Sequence, residues 1–251
     1  MKNLLIRQFV RLYKVDMTEA VETEAEAYAH FNAFFTRALK PECRPISPES
    51  GVVLSPCDGA ISQIGSLEGQ DLFQAKGHYF NAETLLACDK DAALFDGGSY
   101  ATIYLSPRDY HRVHMPCGAT LNKMRHIPGK LFSVNEATCE SVPGLFARNE
   151  RVVCMFETEN GPMAMVLVGA MIVASIATSW SGLVTPAGKV VTTTHYDRPP
   201  GRIQLEKGEE MGLFQLGSTV ILLFPRNTVS WAPELSPTSE VRLGASIAQY
   251  D

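Results

Sequence analysis

The amino-acid sequence predicts an α+β fold that is predominantly β, with an N-terminal helical segment set on one β-rich body. Three observations carry that prediction. The strongest helical periodicity falls in the first forty residues. Short apolar runs separated by Gly, Pro, Asn and Asp fill the chain from about Val52 onward, and no repeat or long linker interrupts the 251 residues.

The first element is a basic amphipathic helix. Arg7, Arg11 and Lys14 recur at i, i+4 and i+7, Leu5, Phe9 and Leu12 do the same on another stripe, and the first fifteen residues hold no anion. Such a helix suits an anionic bilayer surface, and equally an ordinary helix packed on the body. A Glu/Ala-rich stretch from Thr18 to Ala29 follows. Tyr28, Phe31, Phe34, Phe35 and Leu39 then make a helical face that stops before Pro41. Strands are expected at 52–54, 101–105, 151–156 and 219–224, with a short helix near 82–87. From Gly161 to Gly188 there is no charge, yet Gly169 divides the run and Ser175, Thr178, Ser179 and Ser181 make its second half polar. Two buried strands therefore explain it better than a membrane span.

Composition narrows the function. Acidic residues number 27 against 22 basic ones, a net charge of -5, so no basic surface for nucleic acid is expected. The six cysteines contain no Cys-x-x-Cys pair, which points to a reducing compartment. The first residues interrupt their apolar positions with charge too often for a secretory signal.

Three clusters combine reactive residue types with turn-formers. Asp58 lies in Ser55-Pro56-Cys57-Asp58-Gly59-Ala60, where an Asp-Gly pair alone reads as a turn. His111 and His114 lie in Tyr110-His111-Arg112-Val113-His114-Met115-Pro116-Cys117. Zinc is not expected there, because Pro116 disrupts helical presentation and no second ligand pair exists. Two imidazoles beside Arg and Tyr favour proton transfer or anion binding. Ser218 lies in Leu216-Gly217-Ser218-Thr219, at the entry to an apolar strand. Asp58, His114 and Ser218 together supply the acid, base and nucleophile of a triad, although Ser218 lacks the Gly-x-Ser-x-Gly elbow.

These strings, with Phe31-Asn32-Ala33-Phe34-Phe35, Gln74-Ala75-Lys76-Gly77-His78 and the run from Leu145 to Val152, resemble the bacterial pyruvoyl-dependent phosphatidylserine decarboxylases. The resemblance touches nearly the whole chain. It implies a barrel-sandwich hybrid, lipoyl-like body and a proenzyme that cleaves itself between Gly217 and Ser218. The cofactor it implies is a covalent pyruvoyl group derived from Ser218, which forms a Schiff base with phosphatidylserine and releases carbon dioxide to give phosphatidylethanolamine. In that scheme His114 is the base, Asp58 fixes its tautomer, and His111 meets the substrate carboxylate or supplies a proton. Arg148 and Arg151 are candidate phosphate ligands.

The expected organisation is a membrane-associating segment over residues 1–40 and a catalytic domain over 41–251, cleaved into chains 1–217 and 218–251. Expected partners are phosphatidylserine in an anionic membrane, the two cleavage chains themselves and a second copy in a homodimer. Family members often carry a longer hydrophobic N-terminal region, so attachment here is expected to be peripheral, on the cytoplasmic side of the cell membrane. Two rival readings use the same residues: a serine hydrolase that is never processed, and a noncatalytic lipoyl-like docking module.

Overall fold

The computed structural model describes residues 1–171, 175–197, 202–215 and 218–251, and of Ser218 only the backbone. The centre of the fold is a nine-stranded antiparallel sheet. Its order runs Thr192–His195, Ala119–Ile127, Arg151–Thr158, Gly161–Gly169, Ser218–Phe224, Ser99–Leu105, Gly59–Ser66, Glu240–Val241, with Ile203–Leu205 also paired to Ala119–Ile127. The expected strands all form, several a few residues longer than their apolar runs.

Both faces of this sheet are covered, which is why its central strands are apolar without alternation. Val220, Leu222 and Phe224 enter one core, together with Met163, Met165 and Leu167 of the neighbouring strand. Ile221 and Leu223 enter the other, with Ala164, Val166 and Val168. Over the first face lie two small sheets. One joins Val52–Leu54, Ser246–Tyr250 and Val229–Trp231; the other joins Gly182–Leu183, Ile176–Thr178, Glu210–Phe214 and Arg112–His114. The second face carries short helices, among them Ala82–Leu86 and Leu145–Arg148, and the hairpin Asp71–Ala75/His78–Asn81. The uncharged run resolves into the Gly161–Gly169 and Ile176–Thr178 strands, and no helix among the described residues is long and apolar enough to cross a bilayer.

The N-terminal segment departs from its expected pattern in two ways. The Lys2–Tyr13 helix forms and stops at Lys14, whose left-handed backbone lets Val15 N–H donate to the Val10 carbonyl. The Glu/Ala-rich stretch, however, makes turns, and the aromatic face is helical only over Phe31–Phe35. The His30 imidazole caps that short helix through Ala33 N–H at 3.0 Å, while Leu39 leaves it to bridge Ala20. Phe9 also points inward, its ring 5.1 Å from Phe31 and 5.8 Å from Phe34, beside the buried Ile6. Each such buried side chain stabilises by roughly 1.5–3 kcal/mol, against at most about 1 kcal/mol for the exposed Arg7–Glu26 pair. Apolar contact therefore holds the helix on the body.

Asp58-Gly59 is not a free turn. Gly59 opens the Gly59–Ser66 strand, and the Tyr104 carbonyl oxygen of the neighbouring strand occupies the space a Cβ would need. Glycine is required by this close approach, and it fixes Asp58 at the strand's edge. Gly59→Ala is expected to lower stability by about 1–3 kcal/mol in urea denaturation; an unchanged midpoint contradicts the packing described.

Candidate functional site

The loop after the Ser99–Leu105 strand builds the first part of the site. The Asp109 carboxylate accepts from Ser106 N–H at 2.7 Å and from the Ser106 hydroxyl at 2.8 Å, closing the chain into a tight turn. That turn delivers His111 to the interior, where it is fully buried, its ring stacked on Phe35 at 4.0 Å and hydrogen-bonded to the Ser106 and Pro107 backbone. Burial, and then the nearby Arg37 charge, push the His111 pKa down to about 3. At neutral pH it is an uncharged imidazole.

His114 lies on the Arg112–His114 strand, which pairs with Glu210–Phe214. Arg112 secures that strand by donating to Glu210 Oε2 at 2.9 Å and to the Thr36 carbonyl at 2.9 Å. His114 Nδ1 lies 2.9 Å from the Gly208 carbonyl oxygen, and Nε2 lies 3.2 Å from the Tyr110 hydroxyl. A carbonyl can only accept, so Nδ1 carries the proton and Nε2 presents a lone pair. Burial lowers the His114 pKa, opposed in part by the Gly208 hydrogen bond and the Glu210 charge. The geometry is that of a poised base.

Asp58 sits elsewhere than the triad reading anticipates. Its carboxylate accepts from Arg44 Nε at 2.8 and 3.1 Å, from Arg44 Nη2 at 2.5 Å and from Leu243 N–H at 2.9 Å. Glu19 holds the far side of the same guanidinium at 2.8 Å. A carboxylate engaged by a bidentate arginine and a backbone amide makes no hydrogen bond to His114, and the Gly208 carbonyl fixes the tautomer instead. Asp58 reaches His114 only through its charge, which favours the imidazolium.

Ser218 opens its strand between Leu105 and Gly169. Gly217 and the Ser218 side chain lie outside the described residues. The backbone around that position is nevertheless secured. Upstream, Phe214 N–H donates to the His111 carbonyl at 2.9 Å and Gln215 N–H to the Ser175 carbonyl at 2.9 Å. Alongside, the strand partner Gly169 is clamped by the Asn149 side-chain amide at 2.9 Å and the Glu150 carbonyl at 2.9 Å. His111, His114 and the chain around position 218 are thus gathered at one end of the central sheet. Asp58 and Tyr110 meet at a neighbouring cavity of about 360 Å³, which Arg37, Arg44 and Asp109 also line.

Comparison with known proteins gives the family of the chain. A family model described as phosphatidylserine decarboxylase matches residues 31–249. A phosphatidylserine decarboxylase proenzyme of Azotobacter vinelandii is 58% identical over 252 residues, covering 99% of this chain and 87% of that protein. A relative of the same name from Stutzerimonas stutzeri is 60% identical, covering 99% and 84%, and one from Bordetella pertussis is 58% identical, covering 98% and 84%. The chain belongs to the phosphatidylserine decarboxylase family. The decarboxylase family's match starts at Phe31, so it takes in the Phe31–Phe35 helix that covers His111.

The two candidate phosphate ligands, Arg148 and Arg151, are engaged elsewhere on the body. Arg151 is buried and donates to the Leu85, Asn149 and Thr84 carbonyls at 2.7–2.8 Å, fastening the helical layer to the sheet. Arg148 lies over the Phe132 ring and donates to the Pro143 carbonyl at 3.3 Å. Sequence reasoning missed Arg37, Arg44, Gly208 and the hydroxyl of Tyr110. Arg37 stood one turn beyond the Phe34-Phe35 pair, a buried position for a cation and the only hint available.

The pH dependence of stability follows from His111. Its folded pKa lies below the ordinary value, so the unfolded chain binds the extra proton; the stabilisation is complete above about pH 6.5 and is lost as pH falls toward 3. His111→Asn is expected to shrink the difference in urea midpoint between pH 7.5 and pH 5. An unchanged difference refutes a buried neutral His111.

Proposed function

We propose that this chain is a pyruvoyl-dependent phosphatidylserine decarboxylase made as a precursor that cuts itself between Gly217 and Ser218. The observation that carries the reading is the neutral His114, its Nδ1 locked on the Gly208 carbonyl, on the strand beside the one leading to the cut. Family membership fixes the reaction to which that base is applied.

In the processing step the Ser218 hydroxyl attacks the Gly217 carbonyl. His114 Nε2 takes the hydroxyl proton and returns it to the departing amide nitrogen, so that amide becomes ester. Elimination across the Ser218 Cα–Cβ bond expels the Gly217 carboxylate, and hydrolysis of the resulting enamine releases ammonia and leaves a ketone at residue 218. The Asp58 charge stabilises the His114 imidazolium formed on the way. The Tyr110 hydroxyl, its pKa pushed up to about 12 chiefly by burial, stays protonated and keeps the imidazole in register.

The residues present suit a pyruvoyl group: a fully buried and uncharged His111 stands beside the chain that bears it, away from bulk water. That group supplies an electron sink for the electrons left when carbon dioxide departs. His111, neutral and with its single N–H already held by the Ser106 and Pro107 backbone, contributes a dry, uncharged wall beside the reacting chain and does not form an ion pair with the carboxylate. His114, having taken a proton at Nε2 from the substrate's ammonium group, can deliver it to the α-carbon.

The substrate stays in a bilayer, so the enzyme must reach the headgroup plane. The Lys2–Tyr13 helix offers a means. Leu4, Leu5 and Leu12 are 61%, 51% and 74% exposed, with Arg11 in the same helix. Peripheral attachment through that outer stripe, which excludes the inward-facing Phe9, fits these side chains and the basic sequence.

Wild-type protein is expected to release carbon dioxide from phosphatidylserine in mixed micelles, while Ser218→Ala remains a single chain and releases none. An uncut chain that is acylated at Ser218 by ester substrates would establish the hydrolase reading instead. The rate of self-cleavage should fall on acidification with a midpoint below 6.5, because burial depresses the His114 pKa; a midpoint above 6.5 removes His114 as the base. Leu5→Glu/Leu12→Glu is expected to weaken flotation with anionic liposomes at least fivefold with processing intact, and undiminished flotation rejects the helix as the attachment site.

A further inference from the structure

The polar cavity beside Asp58 is lined by five cations, and all but two are ion-paired among the described residues. Arg44 pairs with Glu19 and Asp58, Arg108 with Asp109 and Glu240, and Arg242 with Glu19. Lys14 is exposed to water. Arg37 is different: only 4% of it is exposed, and it has no carboxylate partner among the described residues. One terminal nitrogen, Nη2, donates to the Arg108 carbonyl at 3.0 Å and reaches the Asp109 carbonyl at 3.5 Å. Its Nε and Nη1 are buried without a hydrogen-bond partner in the described structure.

Leaving charged donors buried and unsatisfied is costly, and the desolvation shows in a depressed Arg37 pKa. The group is held rigidly for so high a cost, by the carbonyl contacts on one side and the Phe34 ring 5.6 Å below it. A planar fork with two idle nitrogens just beneath a cavity wall matches the oxygens of a phosphate or carboxylate. A cleft of about 320 Å³, with Ile61, Phe73 and Val134 in its lining and Lys76, Glu136 and Glu140 among its polar residues, adjoins this cavity through Ala60, Tyr104 and Glu240. An anion with an apolar body attached therefore fits the combined space.

We infer that Arg37 is the anion subsite of the enzyme and takes the phosphodiester of the lipid through Nε and Nη1. This deepens the proposed decarboxylase reading and rests on it. The phosphodiester is favoured over the substrate carboxylate by the chemistry of the step. The carboxylate loses its charge as carbon dioxide leaves, so a guanidinium bound to it stabilises the ground state more than the transition state. The phosphodiester keeps its charge throughout, and binding it contributes equally to both. Arg37 should accordingly govern KM and leave kcat little changed.

The test uses the self-processed enzyme with soluble short-chain phosphatidylserine. Arg37→Lys and Arg37→Gln are expected to raise KM at least tenfold with kcat within twofold of wild type, and with the lysine variant the less impaired. An unchanged KM, or a fall confined to kcat, overturns the assignment. Inhibition of the wild-type protein decides the matter even if neither variant folds: glycerophosphoserine should inhibit at least tenfold more tightly than O-methylserine, and equal inhibition overturns the inference. Inorganic phosphate is the third probe. Competition by phosphate that is weaker than that of glycerophosphoserine supports a lipid phosphodiester subsite, whereas phosphate binding as tightly as glycerophosphoserine assigns the site to free phosphate and overturns it. Wild-type protein that is never cut would instead defeat the underlying decarboxylase reading, so the two failures are distinguishable.

Discussion

The contact on which the site depends is the stacking of Phe35 against His111. The two rings lie 4.0 Å apart and both residues are buried, so the imidazole is sealed from water by a side chain from the N-terminal segment. That seal sets the protonation state of His111. It also joins a segment that looks peripheral in the sequence to the chemical centre of the body. Phe35 is in turn held by Phe31, Phe34 and Phe9, and Phe9 belongs to the helix whose outer face carries exposed leucines. A chain of aromatic contacts therefore runs from the proposed membrane face to the His111 imidazole.

A second constraint acts from the sheet. The Ser218–Phe224 strand lies between two neighbours whose side chains fill cores on both faces, and that arrangement leaves little freedom for the backbone at its first residue. Asn149 and Glu150 clamp the strand partner Gly169, while His111 holds Phe214 by its carbonyl. Serine attack on a peptide bond requires a fixed backbone more than an activated nucleophile, since misplacement of reacting atoms by a fraction of an ångström is costly. The fold supplies that fixity around the proposed cut.

Much of this was legible in the sequence, and the limits are physical. The apolar strings of the central strands announced burial on both faces, and the break at Gly169 separated two strands correctly, because both signals are local. His111, His114 and Ser218 stood out as candidates because reactive residue types clustered among turn-formers. The helical N-terminal segment is broken across its Glu/Ala-rich stretch, where helix propensity yields to tertiary contacts such as the Ala20–Leu39 bridge. The partner of Asp58 could not be read either. Arg44 lies 14 positions away and Leu243 lies 185 away, and only the closed sheet edge brings both to one carboxylate. Arg151 illustrates the converse: a candidate phosphate ligand is a tie between backbone carbonyls, and Arg37, unmarked by any motif, is a buried cation left with idle donors among the described residues.

The claim that unites these features is that the chain breaks itself at one bond to create its own reactive carbonyl. The most direct measurement is the mass of freshly purified, folded protein under denaturing conditions, taken with and without a hydrazide reagent. The account predicts two chains, residues 1–217 and 218–251, with the shorter one blocked at its N-terminus and shifted by the hydrazide. A single unbroken mass that the hydrazide leaves unshifted contradicts it.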